Sequence, residues 1–163
     1  MARCSGWLRQ ALGNWEISGI NQYQSGGPFS VRDGNDIAGV GGGSGTQFLS
    51  LVGDPDIERT PFTESAVWFN KAAFARPTTG TFSDTQPKNL LYNPSFWSWD
   101  MGLRKNFMMT ERQRLQIRWE VFNVVNHPNW GGANSNPTSG TFGLVTGKSG
   151  DRRIMQLALK YIF

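Results

Sequence analysis

Four stretches of the chain alternate apolar and polar side chains with a period of two, the repeat of an extended strand. In the last, Met155, Leu157, Leu159, Tyr161 and Phe163 share one parity, against Ile154, Gln156, Ala158, Lys160 and Ile162 on the other. In the stretch before it, Leu115, Ile117, Trp119 and Val121 oppose Arg114, Gln116, Arg118 and Glu120. Wound as a helix at about 100° per residue, those apolar side chains would scatter and Arg118 would lie among them, so a strand is predicted. Trp97, Trp99, Met101, Leu103 and Phe107 alternate with Ser98, Asp100, Gly102, Arg104 and Asn106. Lys105 is the misfit there, and its ammonium is expected to snorkel to an interface near the strand end. Trp15, Ile17, Gly19 and Tyr23 oppose Asn14, Glu16, Ser18, Gln22 and Gln24, with Ile20 and Asn21 off the pattern. The predicted strands are 14–24, 97–107, 114–124 and 153–163.

Each strand runs to about eleven residues, which matches the roughly 9–11 tilted residues that cross a bilayer rather than the five or six usual in soluble sheets. Their connections run long, short, long. Residues 25–96 are rich in Gly, Pro, Asp and Thr, with Lys71–Ala75 suited to a single helical turn; residues 126–150 are similar, whereas 108–113 is a short reversal. Outer-membrane barrels have long external loops and short periplasmic turns, so 108–113 reads as periplasmic and both long loops as external. The fold class predicted is all-β, an antiparallel transmembrane β-barrel fragment over 13–163, with 1–12 a connection or the remnant of a preceding turn. Parity then puts Asp100, Arg104, Arg118, Glu120 and Lys160 toward the lumen. It puts Trp15, Tyr23, Trp97, Trp99, Phe107, Tyr161 and Phe163 at the lipid interface, where aromatic girdles sit. Matching faces require even positions to pair with even ones in the 97–124 hairpin, and a contact between Asp100 and Arg118 is expected.

Composition supports this picture. In 163 residues there are 20 Gly, 7 Trp and 11 Phe, and only 17% are charged. That length allows one domain with a sizeable core. Apolar runs long enough for a transmembrane helix are missing. The net charge of +4 is spread along the chain, which speaks against nucleic acid as a partner. Cys4 is the single cysteine and cannot form an internal disulfide. The amino terminus lacks the apolar core of a signal peptide, so a bacterial outer-membrane location implies that the chain is the tail of a longer precursor.

Reactive chemistry finds little support. His127 is the only histidine, precedes Pro128 and has no cysteine at metal-ligand spacing. Gly39–Gly45 lacks the Lys-Ser/Thr of a phosphate loop. Asp54, Asp56 and Glu58 lack the Gly and Glu of a calcium loop. Asp100 and Glu120 could be drawn as a catalytic carboxylate pair, but lumen polarity accounts for both. No catalytic, cofactor-binding or metal-binding residue is assigned and no enzyme is expected. The rival reading is a soluble carbohydrate-binding β-sandwich using Trp97 and Trp99 as a stacking platform.

Several segments carry a family likeness. Gly13-Asn-Trp-Glu-Ile-Ser-Gly-Ile20 with Gln24-Ser-Gly-Gly-Pro-Phe29, Trp68–Phe74, Phe96–Phe107, Arg118–Asn129 and Thr141-Phe-Gly143 occur in order. Together with the final strand they resemble the carboxyl-terminal barrel segment of TonB-dependent receptors of the Oar-like type, which often carry a carboxypeptidase-regulatory-like domain. The resemblance covers roughly residues 12–163. It implies a segment of a large barrel with an internal plug domain, importing a scarce solute with energy from the TonB complex. The TonB box, the plug and most strands of a barrel of about 22 are not in this sequence, so transport does not carry over to it directly. The last eight residues resemble the signal read by the barrel-assembly machinery. Gln156 fills its polar position, Leu159 its apolar one, Tyr161 and Phe163 its aromatic ones, and Ala158 replaces the usual Gly.

Overall fold

The structure, a computed structural model, describes residues 6–41, 47–58, 66–85 and 87–163. Cys4 and residues 42–45 of the glycine loop lie outside the described residues. The chain divides into two compact units, one of residues 1–23, 97–128 and 151–163 and the other of residues 24–96 and 129–150.

The first unit holds a helix, α1 (Gly6–Leu12), and four long strands, apart from the end residues Gln24 and Phe96, which belong to the second: β1 (Trp15–Gln24), β2 (Phe96–Met108), β3 (Arg114–Phe122) and β4 (Ile154–Ile162). They form one sheet whose spatial order follows the chain. β3 is antiparallel to both neighbours, with Arg118 opposite Arg104 on one side and Ala158 on the other. β1 also runs against β2, since Glu16 meets Arg104 while a side chain at Gly19 would meet Met101 and Asp100. Even positions pair with even ones throughout β2, β3 and β4, as the alternation requires.

Strand ends are set by asparagine. Asn14 (φ 60°) and Asn123 (φ 51°) adopt the left-handed conformation that asparagine tolerates better than most residues. β3 therefore stops at Phe122, two residues short of the expected end. The Asn123 side chain fills the break: Oδ1 accepts from the His127 N–H at 2.9 Å, and Nδ2 donates to the His127 and Asp151 carbonyls at 3.0 Å each. At the other end of the hairpin, the N–H groups of Met109 and Thr110 both donate to the Gln113 carbonyl, which closes the short reversal.

Residues 1–12, expected as a connection or the remnant of a preceding turn, carry helix α1 in their described part. One expectation is corrected in this unit. Lys105 does not snorkel to water but is 3% exposed. Its Nζ donates to the carbonyls of Gln10, Ala11 and Gly13. It lies 4.9 Å from the Trp15 ring centre and 5.2 Å from that of Phe107. The final carbonyls of a helix have no partner within it, and Lys105 supplies one from a strand.

The second unit, expected as two long external loops with a few short pieces ordered locally, has a core of its own. Short antiparallel pairs join Pro28–Phe29 to Leu91–Tyr92, Arg32–Asp33 to Gln47–Phe48, Ser50–Leu51 to Phe74–Ala75, and Ala66–Val67 to Leu144–Val145. Val31, Leu49, Phe69 and Val145 are almost wholly buried among them, and Phe69 meets Phe74 and Phe142 edge to face at 5.5 and 5.4 Å. The helical turn expected near residue 71 is present as a 3-10 turn, Lys71–Ala73, capped by the Asn70 side chain. Asp33 is fully buried, with Oδ2 2.7 Å from Arg76 Nε and Oδ1 accepting from the Asn35 backbone and side chain.

Candidate functional site

The sheet of the first unit is the functional element, and its two faces are built from opposite parities. On the even face, register aligns Asn106, Gln116 and Lys160 in one row, Arg104, Arg118 and Ala158 in the next, and Gly102, Glu120 and Gln156 in a third. Side chains link along and across these rows. Arg104 pairs with Glu16 at 3.0 Å, and Gln116 Nε2 donates to Asn106 Oδ1 at 2.9 Å. Glu120 receives the Gln156 amide through Oε2, and its Oε1 lies 3.4 Å from Arg118 Nε, an ionic contact rather than an aligned hydrogen bond. Lys160 is exposed at the sheet margin. All five charges assigned by parity to one face thus share it.

The Asp100–Arg118 contact is not made. Arg118 turns to Glu120 on its own strand, while Asp100 Oδ1 accepts from the Asn123 N–H at 2.8 Å and Ser98 Oγ at 3.2 Å. Between Asp100 and Glu120 lies a depression of about 180 Å³ with Gly102 on its floor. A Cβ at Gly102 would come within 2.8 Å of Ser18 Oγ, so glycine leaves room there for the Ser18 hydroxyl. The glycine between two charged even positions was the available sequence signal for this feature.

On the odd face, Leu103, Trp119 and Leu157 form one row and Met101, Val121 and Met155 another. Trp119 is 44% exposed and Leu157 75%, while Leu115 and Ile117 are half-buried. A soluble sandwich would seal this face under a second layer; here Val121 is buried but Trp119, Met155, Leu157 and Leu159 stay exposed among the described residues. The aromatic residues fall at its two ends. Trp15, Phe107, Tyr161 and Phe163 lie toward the 109–113 reversal, and the Tyr161 and Phe163 rings stack at 6.0 Å. Toward the other end lie Tyr23, Trp97 and Trp99, with the Trp97 ring edge to face with His127 at 5.2 Å. From Trp97 to Phe107 is ten residues, about 33 Å of strand, and a tilt of about 40° reduces that to about 25 Å, the height of the apolar band of an outer-membrane barrel.

The terminal strand β4 forms one margin of the sheet, with β3 as its partner. Gln156 and Ala158 face Glu120 and Arg118, Leu159 and Tyr161 face Ile117 and Leu115, and Phe163 follows the last strand residue. The lysine that holds the helix end, Lys105, was missed as a site because parity alone assigns a strand residue to water or lipid and leaves out a helix end.

Comparison with known proteins agrees with this geometry. Residues 1–156 match a family described as outer membrane beta barrel domain. No curated protein and no solved structure matches the chain. The family match spans nearly the whole chain and corresponds to an all-β antiparallel sheet with one apolar and one polar face, a segment of a membrane barrel in the outer membrane. The chain belongs to the outer membrane beta barrel domain family.

Proposed function

We propose that the chain supplies the carboxyl-terminal wall of an outer-membrane TonB-dependent receptor of the Oar-like type and carries the signal that the barrel-assembly machinery reads. The observation that supports this best is β4, a marginal strand with Leu157 and Leu159 exposed on one face and Gln156 and Lys160 on the other. It ends in the Tyr161–Phe163 ring pair. In the assembled receptor the odd face meets outer-membrane lipid, and the row of Arg104, Arg118, Glu120 and Lys160 faces the lumen and the plug domain. Residues 24–96 and 129–150 face the medium and the arriving solute. The chain's role is to supply wall strands and external segments to a transporter, without catalysis, cofactor or metal.

Two experiments test the halves of this reading. Growth on a limiting solute taken up by the receptor should stop when the inner-membrane TonB complex is deleted; undiminished uptake would refute a TonB-dependent role. Replacing Tyr161 and Phe163 together with alanine should lower the amount of folded barrel in the outer membrane several-fold. Wild-type levels in that variant would remove the assembly signal from these residues.

A further inference from the structure

In the unit of residues 24–96 and 129–150, a cleft of about 260 Å³ is lined by Gln24–Gly27, Asn93, Pro94, Phe96, Trp130–Gly132 and Ser149. Its walls are fixed from within. The Asn93 N–H and Nδ2 both donate to the Gly27 carbonyl, at 3.0 and 3.1 Å, and Asn93 Oδ1 accepts from the Ala133 N–H at 3.1 Å. One asparagine thereby ties two walls together. Gly131 N–H donates to the Gly147 carbonyl, and Ser149 N–H to that of Asn129. A Cβ at Gly26 would lie 1.6 Å from the Asn93 carbonyl oxygen, so this close approach of two main chains admits glycine alone.

The lining chemistry is specific in kind. Among the described residues no charged side chain lines the cleft; the neighbouring Lys148 ammonium is held over the Trp130 ring, 5.6 Å from its centre. The side chains of Gln24, Ser25 and Ser149 make no hydrogen bond among the described residues, which leaves one amide and two hydroxyls able both to donate and to accept. Phe96 and Trp130 add apolar ring surface beside them. A carboxylate or phosphate brought here would lose water with no charged side chain in the lining to replace it. A neutral ring bearing hydroxyls satisfies both the polar groups and the aromatic surface. The volume is below the roughly 300–1,000 Å³ of drug-sized sites, which limits the occupant to about one ring.

We infer that this cleft binds an uncharged sugar ring, free or as the terminal residue of a neutral glycan. As a solute class for transport the inference rests on the receptor reading above; as a binding site it stands on the cleft alone. The full chain folded in detergent micelles is titrated by calorimetry with D-glucose, D-galactose and N-acetyl-D-glucosamine, and with D-glucose 6-phosphate as the charged counterpart. At least one neutral sugar should bind saturably, and the phosphorylated sugar at least tenfold more weakly than glucose. Gly27→Phe puts a ring into the cleft from a position whose Cβ meets no atom within 4 Å, and should weaken binding tenfold or more. Gly34→Phe, equally unhindered and away from the cleft, should leave binding unchanged and controls for folding. No saturable sugar binding, binding indifferent to Gly27→Phe, or preference for the phosphorylated sugar would each overturn the inference. Sugar binding with uptake that ignores TonB would instead sink the receptor reading and leave the site standing.

Discussion

Replacing Lys105 with methionine tests whether a buried strand lysine fastens α1 to the sheet. Methionine keeps most of the stem and removes the ammonium that reaches the carbonyls of Gln10, Ala11 and Gly13. A hydrogen bond to a charged group contributes about 1.5–3 kcal/mol net, and a partly desolvated contact with an aromatic ring about 1 kcal/mol. Against this stands the cost of holding the ammonium at 3% exposure, several kcal/mol, which the variant no longer bears. The freed carbonyls belong to residues that are half-buried or exposed, so water recovers part of their loss. The balance should be a destabilisation of about 1–3 kcal/mol, within the usual range for losing a buried polar anchor. The assay is urea unfolding of the chain in detergent micelles, followed by tryptophan fluorescence, where Trp15 beside the lysine reports directly. Lys160→Met, at an exposed lysine on the polar face, should shift stability by no more than about 0.5 kcal/mol. Equal effects in the two variants, or a Lys105→Met protein as stable as the parent, would refute the anchoring role.

Further expectations follow from the same geometry. Leu157→Arg, opposite Trp119 on the apolar face, should cost about 2–4 kcal/mol in a bilayer, whereas Gln156→Arg, opposite Glu120, should be close to neutral; equal costs measured by unfolding from vesicles would break the assignment of faces. Gly26→Ala should open the second unit to protease, because its Cβ overlaps the Asn93 carbonyl, while Gly27→Ala should leave digestion unchanged. The Gly41 N–H leads the groups that hold the Asp36 carboxyl below its ordinary value of 3.8, with Val40 N–H and the Gln47 amide adding to it. A carboxyl depressed in the folded state stabilises above its unfolded value and loses that contribution as pH falls through the folded one. Amide protection at Val40 and Gly41 should therefore fall on acidification below 3.8 in the parent and show no such step in Asp36→Asn; an identical profile in both would dismiss the carboxylate.

The spanning sheet was legible because its code is local. A period of two over about ten residues fixes which face each side chain takes, whatever lies elsewhere in the chain. The even-with-even pairing of β2 and β3 follows from it directly. Partner identity needs one more quantity, the turn length. A reversal over 109–113 sets Met108 opposite Arg114 and hence Arg104 opposite Arg118. Asp100 then lies four residues farther along β2, about 13 Å from that rung, too far for the contact expected with Arg118. The turn is legible in the sequence, and its length fixes this register. Lys105 failed for a different reason. Its partners are helix carbonyls more than ninety residues away in the chain, and parity offers a strand residue only two environments.

The second unit was illegible because its order has no period. Val31, Leu49, Phe69 and Val145 converge from four separate stretches, and no strand among its described pairs exceeds two residues. A density of glycine, proline and asparagine in such a region signals frequent reversals but not whether the reversals pack. Asp33 answers that question physically. A carboxylate loses a large hydration energy on burial and survives at zero exposure only where partners are already in place. Its partners are Arg76, forty-three residues on, and Asn35, so segments distant in sequence must be packed before that charge can be held. The same requirement bears on the neutral cleft. Asn93 can tie Gly27 to Ala133 only in a unit that is already folded, and walls that need no ordering when a weak ligand arrives leave more of the contact energy for binding.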